Sequence, residues 1–460
     1  MDQNIFREYD IRGIVGRHLT DETVAVLGKA IGTYLSQNGA KRIAIGYDAR
    51  ESSPRYCELI TAGLNQTGCD VVLIGMVPTP VLYHTVYTKN VDGGVMITGS
   101  HNPPDHNGFK ICLGKATLFG SQIQEIKAIA TSIAEGGVRN AEINPKSKIQ
   151  NPKSVDVLDE YCADIVSRID LGKRKLKIVI DAGNGMGGVT AVPVYRELGV
   201  ELIELFTDVD STFPNHHPDP TVTENLQDLI AAVRESKADL GLAFDGDADR
   251  IGVVDETGRI IWGDELMVLL SRSVLATNPG ATIIAEVKCS QTLFDDIEKH
   301  GGKPLMWIAG HSIIKAKLIE TGALLAGEMS GHIFFADKFY GFDDATYAGA
   351  RVLEILSITD RSFSDLFEDL PKTFSTPEIR IPCPEDKKKK VIEAIAEHFS
   401  GTHEVIAIDG ARIRFDDGWG VVRASNTQEM LILRFEANSE NNLAEIKNTV
   451  ESKVRACINP

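Results

Sequence analysis

The feature that most constrains this chain is a unit that recurs three times: a short apolar strand, a turn of small and polar residues, and a helix-like stretch. Residues 42–48 make such a strand and lead into a helical pattern over 53–68. Residues 177–184 make a second, closing on Asp181-Ala182-Gly183-Asn184-Gly185 before another helix. Residues 282–288 make a third, followed by a helical pattern over 290–300. Strands alternating with helices predict α/β architecture, and in parallel sheets ligands collect at the C-terminal ends of the strands. Three such units predict three related α/β domains facing a shared cleft.

A chain of 460 residues exceeds what one hydrophobic core usually serves. Residues 136–153 are polar, lack periodicity and contain Pro145 and Pro152, so they read as a linker. Residues 373–384 carry Pro377, Pro382 and Pro384 and read as another. Beyond them come a helical stretch and short strands at 405–407, 412–415, 420–424 and 430–435, the pattern of a smaller α+β domain. The expected division is 1–145, 146–250, 251–368 and 369–460: three α/β domains plus a C-terminal α+β domain around a central cleft.

The formal charge of −17 argues against nucleic acid as a partner, because that affinity comes from neutralising phosphates. It would also repel any phosphorylated substrate, so a site for one calls for a local concentration of Arg and Lys. No apolar run approaches the ~20 residues that span a bilayer, and the opening, with Asp2, Arg7, Glu8 and Asp10, has no apolar signal segment. Seven unpatterned cysteines read as free thiols. The expectation is a cytoplasmic protein without a membrane partner. The lysine run 387–390 reads as a solvated helix face.

Four motifs carry chemistry. In Thr98-Gly99-Ser100-His101-Asn102-Pro103-Pro104, Gly99 lets the chain turn sharply to expose the Ser100 hydroxyl, and the two prolines stiffen the exit. His101 is suited to carry a proton. On residue types alone, a tight loop whose Ser and Asn bond only the backbone is the plainer account. The second glycine of the hydrolase nucleophile elbow is absent.

Asp245-Gly246-Asp247-Ala248-Asp249-Arg250 lies between the apolar runs 240–244 and 251–254. Three carboxylates at alternate positions can converge on one hard divalent cation. Burying them without one would be costly. An EF-hand loop also starts with alternate acids, and Glu256 even falls at its twelfth position. Arg250 stands where that loop needs Gly, and the flanks are strands.

Gly327-Glu328-Met329-Ser330-Gly331-His332 is a loop that can approach a polyol, although Glu328 could equally cap Gly331. In Arg423-Ala424-Ser425-Asn426-Thr427 the Arg fork and three short polar side chains suit a phosphate, with an ordinary hairpin turn as the plain alternative. Together the four supply a hydroxyl acceptor, a metal loop, a polyol contact and a phosphate cradle, the inventory of phosphoryl transfer.

With these motifs in this order, from Tyr9-Asp10-Ile11-Arg12-Gly13 to the Arg423 loop, the chain resembles the α-D-phosphohexomutases, in particular their phosphomannomutase/phosphoglucomutase branch. The resemblance implies four domains around one large cleft. It implies that Ser100 holds the transferable phosphoryl group, and that Asp245, Asp247 and Asp249, with the phosphoserine oxygen of Ser100, ligate one Mg²⁺ per subunit. Arg250 lies beside them. Glu328 and Ser330 would grip the sugar 3- and 4-hydroxyls, and Arg423, Ser425, Asn426 and Thr427 the non-reacting phosphate. Tyr9, Arg12, Lys110, Lys288 and His311 match further cleft positions. His101, Lys110 and His332 are the candidates for proton transfer. Ala248 stands where many relatives have Gly.

The implied reaction moves a phosphoryl group between C1 and C6 of mannose or glucose phosphate through a bisphosphorylated sugar, which turns end over end between the two half-reactions. Hexose 1,6-bisphosphate is thus both intermediate and activator. Grip through the 3- and 4-hydroxyls is indifferent to C2, where mannose and glucose differ. A phosphoglucosamine mutase, a phosphatase and a non-catalytic sugar-phosphate-binding protein remain as alternatives. A monomer is expected, with a dimer also open.

Overall fold

The computed structural model describes residues 1–136, 153–425 and 429–458. The expected linker at 136–153 therefore lies, apart from its two end residues, outside the described residues.

Three of the four sheets are built on parallel pairs. In the first, Arg42–Tyr47 runs parallel to both Asp70–Met76 and Gly93–Ile97. An antiparallel strand, His106–Leu113, then pairs with Gly93–Ile97 and brings Lys110 opposite Met96. In the second sheet, Lys177–Asp181 lies parallel to Leu240–Phe244 and Glu201–Leu205. In the third, Thr282–Glu286 lies between Lys303–Trp307 and Leu325–Gly327, parallel to both. The three strands anticipated from the recurring unit are thus the parallel strands on which these sheets are built. Each is mostly apolar and buried because helices cover the sheets.

The fourth sheet is antiparallel, with Met430–Ala437, Gly418–Ala424, Ala411–Phe415 and Glu404–Ile406 in sequence-adjacent order. One face carries Ile413, Val422, Leu433 and Phe435, in one apolar cluster with side chains of the helices Glu385–Ser400 and Glu440–Ile458. That core is separate from the large cluster that runs through the first three units, from Ala44 and Tyr83 to Ile180, Leu266 and Leu353.

Pairing departs from the sequence pattern in three places. Ile251–Asp255 and Ile260–Ile261, expected with the third unit, hydrogen-bond into the second sheet beside Leu240–Phe244. Lys153–Ser154, expected with the second unit, pairs with Asp70–Met76 of the first. Phe374–Ser375 and Ile379–Pro382, within the proline-rich stretch read as a linker, pair with Met430–Ala437. Proline is compatible with that position because an outer strand need not donate on both sides.

Candidate active site

Ser100 sits just past Gly93–Ile97, at the C-terminal end of a parallel strand. Ser100 itself takes the left-handed turn, at φ 49°, and its N–H donates to Thr98 Oγ1 at 2.8 Å. Gly99 has a different role from the sharp turn expected of it: a Cβ there would lie 2.4 Å from the Arg50 guanidinium. Arg50, only 1% exposed, donates to the carbonyls of Ser100, Asn102, Pro103 and His106 at 2.6 to 2.9 Å. Its Nε is held by Asp48 at 3.1 Å.

The hydroxyl of Ser100 donates to Asp245 Oδ2 at 2.8 Å, and His101 Nδ1 lies 3.1 Å from Ser100 Oγ. The loops approach this closely because residue 246 is glycine; a Cβ there would come 2.4 Å from the Ser100 carbonyl oxygen. Burial lowers the His101 imidazole well below its ordinary range, helped by the nearby Arg250 and Arg12 charges, so the ring is neutral.

Asp245, Asp247 and Asp249 are fully buried, and one carboxylate oxygen of each falls within 4.8 Å of the others. Asp247 Oδ2 accepts from Thr79 Oγ1 at 2.5 Å and from Lys110 Nζ at 2.7 Å, and Lys110 also pairs with Asp249. Asp247 Oδ1 and Asp249 Oδ1 have no hydrogen-bond partner although buried. Burial and the two neighbouring carboxylates push Asp245 well up. Burial works against Asp247 too, but Lys110 and the hydrogen bonds override it and hold its carboxyl down. Three clustered carboxylates with buried, unpartnered oxygens are what a hard cation satisfies, so this donor set fits a divalent metal. Ala248 holds the loop's left-handed position, at φ 58°.

Beside this cluster lies a cavity of about 860 Å³. Of the residues anticipated from the sequence, Tyr9, His101, Arg250, Lys288 and His311 line it. So do Glu328, Ser330, His332, Arg423 and Ser425. Ser100, Lys110 and the three aspartates are buried next to it. Arg12, with its Nε on Asp10 Oδ2 at 2.5 Å, lies within electrostatic reach of Asp247 and Arg250. Asn426 and Thr427 fall outside the described residues.

The Glu328 side chain does not cap Gly331, whose N–H meets the Glu328 carbonyl instead. Its carboxylate accepts from Gly310 N–H at 2.5 Å and from Ser330 Oγ at 3.3 Å. Tyr9 donates its hydroxyl to Ala309 O at 2.7 Å, so the first unit reaches the third at this turn.

The cavity lining carries five cations against four carboxylates, a small local excess of positive groups in an acidic chain. Arg250, Lys288, Arg380, Arg423 and Arg434 face Asp219, Glu286, Glu328 and Glu378 across it. Lys288 Nζ pairs with Glu378 at 2.5 Å and lies 3.5 Å from Glu286. Arg423 Nε pairs with Asp409 at 2.9 Å. Burial raises the Glu286 carboxyl to about 7 despite Lys288 beside it.

Several side chains here carry no local signal in the sequence. Asp343 lies 3.0 Å from His332 Nδ1 and 3.7 Å from His311 Nδ1, and accepts from Lys315 at 2.9 Å. Its only sequence hint is a place in an acidic pair, Asp343-Asp344, before a helix. Lys388, in the run read as a solvated face, is 3% exposed and donates to the Ser425 carbonyl at 2.9 Å. Among the described residues, no helix is long and apolar enough to cross a membrane.

Four family models match along the chain: phosphoglucomutase/phosphomannomutase alpha/beta/alpha domain I over residues 3–136, domain II over 159–258, domain III over 262–374 and the C-terminal domain over 378–453. A phosphoglucomutase of Neisseria meningitidis serogroup A is 48% identical over 99% of this chain and 97% of its own. A phosphomannomutase/phosphoglucomutase of Pseudomonas aeruginosa is 47% identical over 98% and 96%. The crystal structure of a phosphoglucomutase/phosphomannomutase family protein from Burkholderia thailandensis superposes with a TM-score of 0.91 at 43% identity, covering 99% of this chain and 98% of that one.

Proposed function

The chain belongs to the phosphoglucomutase/phosphomannomutase family, and on that premise we propose that it moves a phosphoryl group reversibly between C1 and C6 of mannose phosphate and glucose phosphate, with Ser100 as carrier. The observation that carries this reading is the Ser100 hydroxyl, bonded to Asp245 at 2.8 Å beside a cavity that Glu328 and Arg423 also line. Asp245, Asp247 and Asp249 would hold Mg²⁺, consistent with the unpartnered oxygens of Asp247 and Asp249. When bound, the cation supplies neutralisation of charge on the transferred phosphoryl oxygens.

The remaining roles follow from this chain's own side chains. His101, neutral and 3.1 Å from Ser100 Oγ, exchanges the proton at the serine end. Burial opposes the charge on Lys110, but Asp247 and Asp249 raise its pKa, so it keeps its proton and serves as a fixed cation. Glu328 and Ser330 orient the sugar by its hydroxyls. Arg423 and Ser425, with Asn426 and Thr427, hold the phosphate that is not reacting. Lys288, Tyr9, Arg12 and His311 complete the contacts, and Arg250 with His332 acts at the sugar end. The bisphosphorylated sugar turns over between the two transfers, and added hexose 1,6-bisphosphate restores carrier that has lost its phosphate. The cytoplasm is the compartment this reading favours, in keeping with seven free cysteines.

The test is a coupled assay with mannose 1-phosphate, glucose 1-phosphate and glucosamine 1-phosphate, each with Mg²⁺ and a bisphosphate activator. Turnover of the first two, with little of the third, is the expected result, and Ser100→Ala should abolish most of it. Preference for glucosamine phosphate, net release of inorganic phosphate, or wild-type turnover in Ser100→Ala would overturn the reading.

A further inference from the structure

The turn that carries Lys288 is gripped from outside its own unit. Three successive carbonyls there accept hydrogen bonds from two arginines of the fourth sheet. Arg412 Nη1 donates to Val287 O at 2.5 Å and to Cys289 O at 2.8 Å. Arg434 Nη1 donates to Lys288 O at 2.5 Å and to Asp264 Oδ2 at 2.8 Å. Both arginines are buried, at 2% and 4% exposure. The Arg412 guanidinium also lies 3.8 Å from the centre of the Trp419 ring.

Strand register explains why they act together. Arg412 and Arg434 are both direct partners of Val421, so the three share one face of the sheet. Val287 packs on that face with Trp419 and Val421. Arg423, two residues along its strand from Val421, points to the same face. The phosphate-clamp arginine and the two that hold the Lys288 turn thus project from one rigid surface.

Building on the proposed function, we propose that Arg412 and Arg434 are positioning residues that hold Lys288 in register with Arg423, so that two units present a single dicationic seat to a phosphate. Lys288 alone sits on a turn of the third unit, and Arg423 alone on a strand of the fourth. Arg434 itself lines the cavity, whereas Arg412 does not, so Arg412 acts on the substrate only through the lysine it fixes.

The test is phosphate affinity, measured by calorimetry with inorganic phosphate on full-length protein, alongside KM and kcat for mannose 1-phosphate. Arg412→Met should weaken phosphate binding about tenfold and raise KM in step, a change of about 1.4 kcal/mol. Arg412→Lys, which can still reach a carbonyl, should recover part of the loss. In a Lys288→Ala background, Arg412→Met should have no further effect, because residues that act through one another are not additive. If the two losses multiply, or if Arg412→Met lowers Tm while phosphate binds as before, the proposal fails. Should Arg412→Met not fold, Arg412→Lys and Arg434→Lys in the same cycle decide it. Absence of wild-type turnover would instead count against the proposed function, since phosphate binding is read without catalysis.

Discussion

Arg250 Nε donates to His332 Nε2 at 2.9 Å. A guanidinium can only donate, so Nε2 is the accepting nitrogen, and Nδ1 lies 3.0 Å from Asp343 Oδ2 without hydrogen-bond geometry. An element of the second unit thus fixes which nitrogen of a third-unit histidine accepts, and the Asp343 carboxylate lies beside the other.

Asp343→Asn should therefore impair kcat far more than KM, because it removes the negative charge beside His332 Nδ1. A loss of roughly 10²- to 10⁴-fold is expected, the range that acid–base groups contribute. Steady-state kinetics of folded mutant protein give the answer. A mutant with unchanged kcat would leave Asp343 as no more than a partner of Lys315.

Asp247→Asn removes one anionic donor from the carboxylate cluster. Even second-sphere changes at metal sites cost ~10–100-fold in affinity, so a direct ligand should lose no less. Calorimetric titration with Mg²⁺ measures it. Equal Mg²⁺ affinity in mutant and wild type would reduce Asp247 to a partner of Lys110 and Thr79.

Arg423→Lys keeps a cation but loses the planar fork. A charged hydrogen bond is worth ~1.5–3 kcal/mol, so kcat/KM should fall roughly ten- to hundredfold and inorganic phosphate should inhibit less well. Glu328→Gln should impair sugar recognition with little change in phosphate inhibition. The reverse pattern would mean that the two loops have been assigned the wrong way round.

Asp344 is a stability sensor. Burial raises its carboxyl from the ordinary range to about 7, although Tyr347 N–H and the Tyr161 hydroxyl both donate to it. The native state then holds a proton that the unfolded chain gives up near pH 4. Its contribution is present at acid pH and is lost as pH rises from about 4 to about 7, to an extent on the order of a few kcal/mol. Asp344→Asn should flatten this part of the profile of Tm against pH. An identical slope in the mutant would assign the effect elsewhere.

What could be read from sequence was what a few neighbouring residues determine together. The aspartate spacing from 245 to 249 and the strand ends before Ser100 and Lys288 are local, and they stand where their patterns indicated. The partners of those groups come from far along the chain. Thr79 reaches Asp247 across 168 residues, and nothing in its surroundings separates it from any other helix-start threonine. Lys388 looks like its three lysine neighbours until the fold turns it inward. The strands at 251–261 join the second sheet and not the third unit for a related reason. Hydrophobic pattern identifies a strand but not the neighbour it bonds.

Arg50 has a consequence for the timing of catalysis. Four carbonyls of the Ser100 loop converge on one buried guanidinium that never faces the substrate cavity. The entropy of ordering that loop is spent when the protein folds, and no substrate contact is needed to complete it. In the proposed cycle, a sugar that leaves the serine, reverses and returns therefore meets an unmoved wall, and both half-reactions begin from the same geometry.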